Sequence, residues 1–315
     1  MDLMTHFPKA LIVSEENDIS TLKVISYMIK NNTEFVRIND NDKIGELFLF
    51  LSNDMVFEIK SQTIDLKSIK AIWLRRGQIR FAKGQMLSDE KLITEYMNFF
   101  IEKSNKAIGN LFSEYNHNKL IDIEIARKNK IKTPLSFIIS TKDQFQSILK
   151  NTNKSFITKS VATDSVIKFK GKFYKSDLTS LIDVESFVHG FFYPLFIQEN
   201  IKKKFEIRTF FIKDAFYSMA IFSQNNSKTK VDYRNYDHNK PNRMIPFKIP
   251  INIENKLRRL IKQLGINTCS VDLIYSKSNS FIFLEINRMG QFDWLSGVCN
   301  YYIEKQISEL LCKNS

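Results

Sequence analysis

The sequence predicts an α+β protein: an α/β N-terminal domain followed by two α+β lobes. Two observations carry that expectation. Over the first hundred residues, short apolar runs alternate with helical patterns, as βαβ units do. Beyond residue 195 the apolar segments become mostly strand-like and are joined by short polar turns. The expected division is 1–116 for the N-terminal domain, 117–194 for a central lobe with a hairpin, and 195–315 for the C-terminal lobe.

In the first block Ala10–Val13 reads as a strand. Asp18 or Ser20 caps a helix that places Leu22, Ile25, Met28 and Ile29 on one face. Glu34–Ile38 is the next strand, and Leu47–Leu51 with Met55–Ile59 flank a Ser52-Asn53-Asp54 hairpin turn. Ile69–Leu74 is a strand ending in Arg75-Arg76-Gly77, and Ser88 opens a helix expected to run to about Phe112.

In the second block Lys119–Lys130 is a helix with Leu120, Ile123 and Ile125 apolar, stopped by Thr133-Pro134. Leu135–Ile139 and Ser155–Lys159 are strands around a helix that Thr141 opens, and Lys170-Gly171 turns a hairpin of Val166–Phe169 and Lys172–Lys175. In the third block Leu195–Gln198, Glu206–Ile212 and Ala215–Phe222 are strands, the last two turning at Lys213-Asp214. Residues 223–250 read as a long loop, broken by Pro241, Pro246 and Pro250. Ile253–Leu264 is a helix, Cys269–Tyr275 and Phe281–Asn287 are strands, and Ser296–Leu311 is a closing helix.

Composition excludes several classes. Twenty-seven Phe and eleven Tyr are too many for a disordered chain. No apolar run has the length of a membrane span. Cys269, Cys299 and Cys312 form no CxxC, the four His have no metal-ligand spacing, and the start is a poor signal peptide, so the expected home is a reducing cytoplasm. Nine glycines make neither GxGxxG nor GxxxxGK[ST]. Forty-seven Lys and Arg against 34 Asp and Glu give +13, which favours an anionic partner without choosing one.

The chemistry-bearing pattern begins with CSVDLIY and FIFLEINRMGQ. Alternate strand residues share a face, so Glu285 and Asn287 point the same way. Folding the two strands about residues 278 and 279 sets Asp272 opposite Glu285. Asp, Glu and Asn are hard oxygen ligands of the kind Mg²⁺ takes alongside phosphate oxygens. Standing alone, such a hairpin reads as a polar wet face. Upstream lie Lys119, then Lys159 at a strand end, Gln198-Glu199, and Glu206 with Arg208 alternating onto one face. An isolated Glu-x-Arg is by default a surface ion pair, and the Lys202–Lys204 run reads as a wet turn.

The order of these residues resembles that of an ATP-grasp nucleotide site, in which two α+β lobes clamp ATP. The resemblance implies that Lys119 and Lys159 contact the phosphates and the adenine edge. It implies that Gln198, Glu199 and Ile201 line the adenine pocket, Glu199 and Ile201 through their backbone, and that Glu206 holds the ribose. By the same resemblance Arg208 is expected to grip phosphate or acyl phosphate, and Asp272, Glu285 and Asn287 to hold Mg²⁺. The segment Ala162–Ser165 and the Gly171 hairpin become a lid, with fewer glycines than many such lids have.

The N-terminal block narrows the likeness. LIVSEENDISTLKVISYMIKNN and IKAIWLRRG resemble the N-terminal, pre-ATP-grasp-like domain of the microviridin-type ligases that crosslink ribosomal peptides, the graspetide family. Their Trp-x-Arg-Arg-Pro signature stands here as Trp73-Leu74-Arg75-Arg76-Gly77. Their Asp-Trp-Arg element becomes Asp232-Tyr233-Arg234, and EINRMGQF carries Arg288 where the family has Pro. The nearest subgroup is named for pairing with a radical-SAM SPASM protein. The resemblance implies an ADP-forming ligase using ATP and Mg²⁺, a precursor peptide as partner, a homodimer, and neither membrane nor nucleic acid as partner. Arg234 and Asp232 are the candidates for holding the peptide. Arg75 and Arg76 serve either a domain interface or a substrate phosphate, and Trp73 and Trp294 read as core or interface. Two other readings stand beside this one: an ATP-grasp ligase for a free amino acid or other small molecule, which shares every ATP-site residue, and a basic nucleic-acid-binding protein, for which no RNP-like or helix-turn-helix pattern is present.

Overall fold

The computed structural model describes residues 9–51, 53–81, 87–161, 166–169, 172–175 and 179–313. The first part of the chain runs β1 (Ala10–Ser14), α1 (Ile19–Lys30), β2 (Phe35–Asn39), β3 (Lys43–Phe50), β4 (Asp54–Ile59), β5 (Gln62–Asp65), β6 (Ala71–Leu74), β7 (Arg80–Phe81), α2 (Leu87–Glu102), β8 (Ala107–Ile108) and α3 (Leu111–Tyr115). Strands β2, β1, β6 and β8 form a parallel sheet in that order. Its centre is apolar on both faces, as parallel sheets are: all five residues of β1 and all four of β6 are buried. A second sheet, β5-β4-β3-β7, contains the expected hairpin, closed by Phe50 opposite Asp54.

Two expectations fail here. Asp18 caps α1 by accepting the Ser20 N–H, but the buried stripe is Thr21, Val24, Ile25 and Met28, while Leu22 and Ile29 face solvent. The helix is rotated because its inner face must meet the last helix of the chain as well as the sheet. The helix expected to reach Phe112 stops at Glu102. Ala107 and Ile108 instead pair with Ile72 and Trp73, and Gly109 follows at φ +112°, where a Cβ would lie 1.9 Å from the Leu74 carbonyl oxygen. That close approach needs glycine and is incompatible with a helix.

The middle of the chain adds α4 (Lys119–Lys128), β9 (Ser136–Thr141), α5 (Lys142–Thr152), β10 (Phe156–Thr158), β11 (Val166–Phe169), β12 (Lys172–Lys175), β13 (Ser180–Ile182) and β14 (Phe191–Glu199). Thr141 and Gln144 form a reciprocal capping box at the start of α5. Strands β13, β10, β14 and β9 make an antiparallel sheet over Phe145, Phe156 and Phe187. Strands β11 and β12 pair through Phe169 and Lys172. Ala162–Ser165 and Gly171, expected to form the lid, lie outside the described residues.

The last part runs β15 (Lys203–Ile212), β16 (Ala215–Phe222), β17 (Arg243–Phe247), α6 (Ile251–Gln263), β18 (Thr268–Ser276), β19 (Phe281–Asn287), α7 (Asp293–Cys299) and α8 (Ile303–Lys313). The antiparallel sheet β17-β16-β15-β18-β19 is the platform of the molecule. The segment 223–250 is thus not all loop, since Arg243–Phe247 pairs with β16. The closing helix is two helices, split where Asn300 and Tyr302 both take φ +53°.

Alternation gives the platform two different faces. One buries Ile207, Phe211, Val271, Leu273, Phe283 and Ile286 against α4 and α6. The other carries Phe210, Ile212, Met219 and Ile221 toward β1, β6, α7 and α8 in one continuous core. On that same face, further along β15 and β18, stand Glu206, Arg208 and Asp272. The change from apolar to charged along one face marks the edge of the core and the start of a cleft.

Candidate active site

The cleft, a cavity of about 70 Å³, lies between the platform, the β10–β14 sheet and the 231–234 loop. Gln198, Glu199, Ile201, Lys159, Glu206, Asp232, Arg234, Asp272 and Glu285, all picked out from the sequence, line it.

Asp272 is paired with Glu285 in the strand register, and Arg208 with Asp272. The Arg208 Nη1 donates to both Asp272 oxygens, at 2.9 and 2.7 Å. Its Nε is buried without a partner. Glu285 Oε2 faces two ammoniums, Lys159 Nζ at 3.4 Å and Lys119 Nζ at 3.8 Å. These arrive from separate elements: Lys159 follows β10, and Lys119 opens α4, whose N-cap Asn118 accepts the Leu120 N–H. Burial pushes the Glu285 carboxyl up, but Lys159 and Lys119, then Arg234 and Arg208, outweigh it and hold it down at about 2. Burial, against the pull of Arg208, pushes Asp272 the other way, and the neighbouring Glu285 charge adds to the rise.

Asn287 stands two register pairs further on, opposite Ser270, half-buried and outside the cleft lining. The oxygen corner of the cleft is therefore Asp272 and Glu285, with Asn287 beside it. Among the described residues no group of three or more His, Cys, Asp or Glu gathers to hold a metal. Two carboxylates with an amide nearby nonetheless fit Mg²⁺, which keeps few protein ligands and takes the rest from phosphate and water.

Gln198 is buried, donates its amide to Ser136 Oγ, and leaves its own side-chain oxygen without a partner. Glu199 points its carboxylate away, to Lys154 Nζ at 2.7 Å, and gives its N–H to the Leu135 carbonyl. Glu206 is buried between the Lys203 ammonium and the Ser223 hydroxyl, and burial raises its carboxyl although Lys203 opposes the rise. Lys203 also donates to the Val231 carbonyl at 2.9 Å. The expected wet turn at Lys202–Lys204 is thus corrected at its centre: Lys203 is 6% exposed because Glu206 and the 231–234 loop close over it.

Asp232 and Arg234 hold each other, with Arg234 Nη2 2.6 Å from Asp232 Oδ2. Asp232 also takes the Thr179 hydroxyl at 3.0 Å, tying the loop to the strip before β13. Between them Tyr233 is turned inward, lining the cleft, with its hydroxyl pushed up by burial and by Asp272. Tyr233 and Lys203 are the residues that sequence reasoning missed. The Tyr233 signal was its place in the Asp-Tyr-Arg element, and the Lys203 signal was its position three before Glu206.

Arg75 is settled as an interface residue. It is buried, pairs with Asp18 at 2.9 Å, and donates Nη1 to the Met289 and Gly290 carbonyls at 2.6 and 3.0 Å. Its guanidinium lies over Phe292. Arg288, standing where the resembling family has proline, makes a buried bidentate pair with Asp122. Asn110 donates to the Thr268 carbonyl. The turn that follows β19 is therefore gripped by Arg75, by Asn110, which also donates to the Arg288 carbonyl at 3.3 Å, and by Asp122 of α4.

No family model matches the chain, and no curated protein matches its sequence. Solved structures do match it along its length. A RiPP-associated ATP-grasp ligase from Chryseobacterium gregarium, in complex with ADP and a leader and core peptide, superposes with TM-score 0.79 at 22% identity, over 98% of each chain. The macrocyclase MdnC from Microcystis aeruginosa, bound with the precursor peptide MdnA, gives 0.73 at 22% identity, over 97% of this chain and 100% of that one. The ATP-grasp ligase PsnB, complexed with a phosphomimetic variant of a minimal precursor, Mg and ADP, gives 0.72 at 13% identity, over 98% of each. These structures match the chain from end to end, and the chain has the ATP-grasp fold.

Proposed function

We propose that this chain is an ATP- and Mg²⁺-dependent ligase that activates Asp or Glu side-chain carboxylates of a ribosomally made precursor peptide and joins them to Ser/Thr hydroxyls or Lys amines. The observation that carries the reading is the register pair Asp272–Glu285, faced by Arg208, Lys159 and Lys119 from three elements. The support from outside is the likeness to ligases solved with ADP, with Mg and with precursor peptides.

Gln198, Glu199 and Ile201 bound the adenine end, the unpartnered Gln198 oxygen being available to an amino group, and Glu206 meets the ribose hydroxyls. Lys119, Lys159 and Arg208 supply fixed positive charge for the phosphates. Asp272, Glu285 and Asn287 hold Mg²⁺, which screens the polyphosphate when bound. Phosphoryl transfer needs positioned charge more than a covalent enzyme group. A substrate carboxylate oxygen attacks the γ-phosphorus, the bond to the β-bridging oxygen breaks, and ADP leaves. The hydroxyl or amine then attacks the acyl phosphate carbon, phosphate departs, and the nucleophile's proton is released. Arg208, with its unpartnered Nε, faces the charge of both steps. Arg234 and Asp232 hold the peptide.

The reading includes a cytoplasmic homodimer of three-part chains, divided as 1–116, 117–194 and 195–315, with a radical-SAM SPASM protein as a further partner. Among the described residues no helix is long and apolar enough to cross a membrane. The test mixes the chain, Mg-ATP and the short peptide encoded beside it, and reads intact mass. Loss of one water per bond with release of ADP and phosphate is the expected result. Release of AMP, or activity on free amino acids without peptide, contradicts it.

A further inference from the structure

We propose that Arg288 and Asp122 are positioning residues: their buried pair fixes the register of α4 along β19 and so keeps Lys119 at the cleft. The inference rests on the nucleotide-site reading above and deepens it. Asn287, Arg288, Met289 and Gly290 form a hydrogen-bonded turn, the Gly290 N–H donating to the Asn287 carbonyl at 3.2 Å. Neither Arg288 nor Met289 takes a positive φ, as in a type I turn. Such a turn favours Asn first, Pro second and Gly last. The chain meets the first and last preferences and sets Arg288 in the proline position. Nothing in the turn asks for an arginine there, so its reason lies with the side chain.

That side chain reaches Asp122 with both terminal nitrogens, at 3.0 and 2.9 Å. Asp122 lies in the first turn of α4, three residues after Lys119, so the two share one face of the helix. Glu285 lies three residues before Arg288, and its Oε2 stands 3.8 Å from Lys119 Nζ. Two rungs of opposite polarity therefore join α4 to β19 and its turn: Lys119 with Glu285, and Asp122 with Arg288. A helix slid by one turn would set Asp122 against Glu285, or Lys119 against Arg288, like charge against like where little solvent screens them. The rungs differ in permanence. Arg288 and Asp122 are 6% and 3% exposed and make two hydrogen bonds. Lys119 and Glu285 are each 17% exposed, and their 3.8 Å gap is too long for a hydrogen bond. Lys119 can thus turn to a phosphate while the buried rung keeps its helix in place.

The test is a calorimetric titration of ADP into the whole chain without divalent ion, so that the phosphates read Lys119 directly. K119M is expected to weaken binding about 10-fold, and D122L/R288M, shown to be folded by circular dichroism, by a similar factor. Because the clamp acts through Lys119, the K119M/D122L/R288M chain is expected to bind no more than about 2-fold more weakly than K119M. D122L/R288P gives the turn its favoured residue without the tie to α4, and is expected to lose affinity as D122L/R288M does. Wild-type affinity in K119M or in a folded D122L/R288M, losses that multiply in the triple variant, or full affinity in D122L/R288P each overturns the proposal. Should the double variants not fold, R288K, which keeps the charge but loses the two-pronged grip, is read in the same assay. A loss of affinity that vanishes in the K119M background supports the clamp, whereas an unchanged affinity, or a loss that persists there, overturns it. No ADP uptake by the wild-type chain, with or without Mg²⁺, removes the nucleotide site and this inference together. Wild-type uptake beside any of the overturning results removes this inference only.

Discussion

Arg288 and Asp122 lie face to face in the interior, their two hydrogen bonds measuring 3.0 and 2.9 Å, and this pair fastens the turn after β19 to α4. Both side chains are nearly inaccessible, at 6% and 3% exposed. Removing one partner of such a pair leaves a buried charge alone. Asp122→Ala is expected to lower stability by about 3–5 kcal/mol. The D122L/R288M double replacement, which removes both charges, is expected to cost less than the single change. Urea midpoints of the three chains check this.

Gly290 packs its backbone against β18. A Cβ there would lie 2.6 Å from both the Ser270 nitrogen and its Oγ. G290A must push the turn or the strand aside, at an expected cost of about 1–3 kcal/mol. Because Asn287 and Glu285 directly precede that turn, ADP affinity in the presence of Mg²⁺ should fall as well. Thermal melts and calorimetry read the two effects separately.

Asp272→Asn and Glu285→Gln each remove one charge from the oxygen corner without changing its volume. Each is expected to lower peptide crosslinking by about 100-fold or more. Glu285→Gln also removes the carboxylate that Lys119 and Lys159 both face. Intact-mass assays give the rate, and circular dichroism confirms that the fold persists.

The loop holding Arg234 should loosen in acid. Burial alone would raise the Asp232 carboxyl, but the Arg234 guanidinium and the Thr179 hydroxyl hold it below 3.8. A carboxyl depressed in the folded state contributes stability above its ordinary value and loses it as pH falls through the folded one. Hydrogen exchange of residues 229–236 should therefore accelerate as pH falls below about 3.8, relative to the rest of the chain at the same pH. In D232N it should be fast already at neutral pH.

The Asp272–Glu285 corner was largely legible because it depends on local rules. Strand alternation puts Glu285 and Asn287 on one face, but Asp272 meets Glu285 only across a register shift between Asp272 and Leu273, because nearer the turn Leu273 pairs with Phe283. The same rules failed wherever a distant contact decided the outcome. Gly109 ends a helical pattern because Leu74 lies against it. The buried face of α1 is chosen by α8, which comes some 270 residues later, a span no local periodicity registers. Lys203 looks like one charge of a polar run until the Val231 carbonyl closes on it. Arg75 read equally as substrate contact or interface until its two carbonyl acceptors were placed.

The docking of α8 on α1 has a consequence for biosynthesis. Ile303, Ile307 and Leu311 complete the layer that begins with Ala10, Val24 and Met28. While the ribosome is still translating, the first hundred residues emerge with one flank of α1 bare. Assembly of this domain must wait for the last helix or be shielded until then. Clipping the chain before Ile303 should thus harm the part made first, so that a truncated product would precipitate from its N-terminal side.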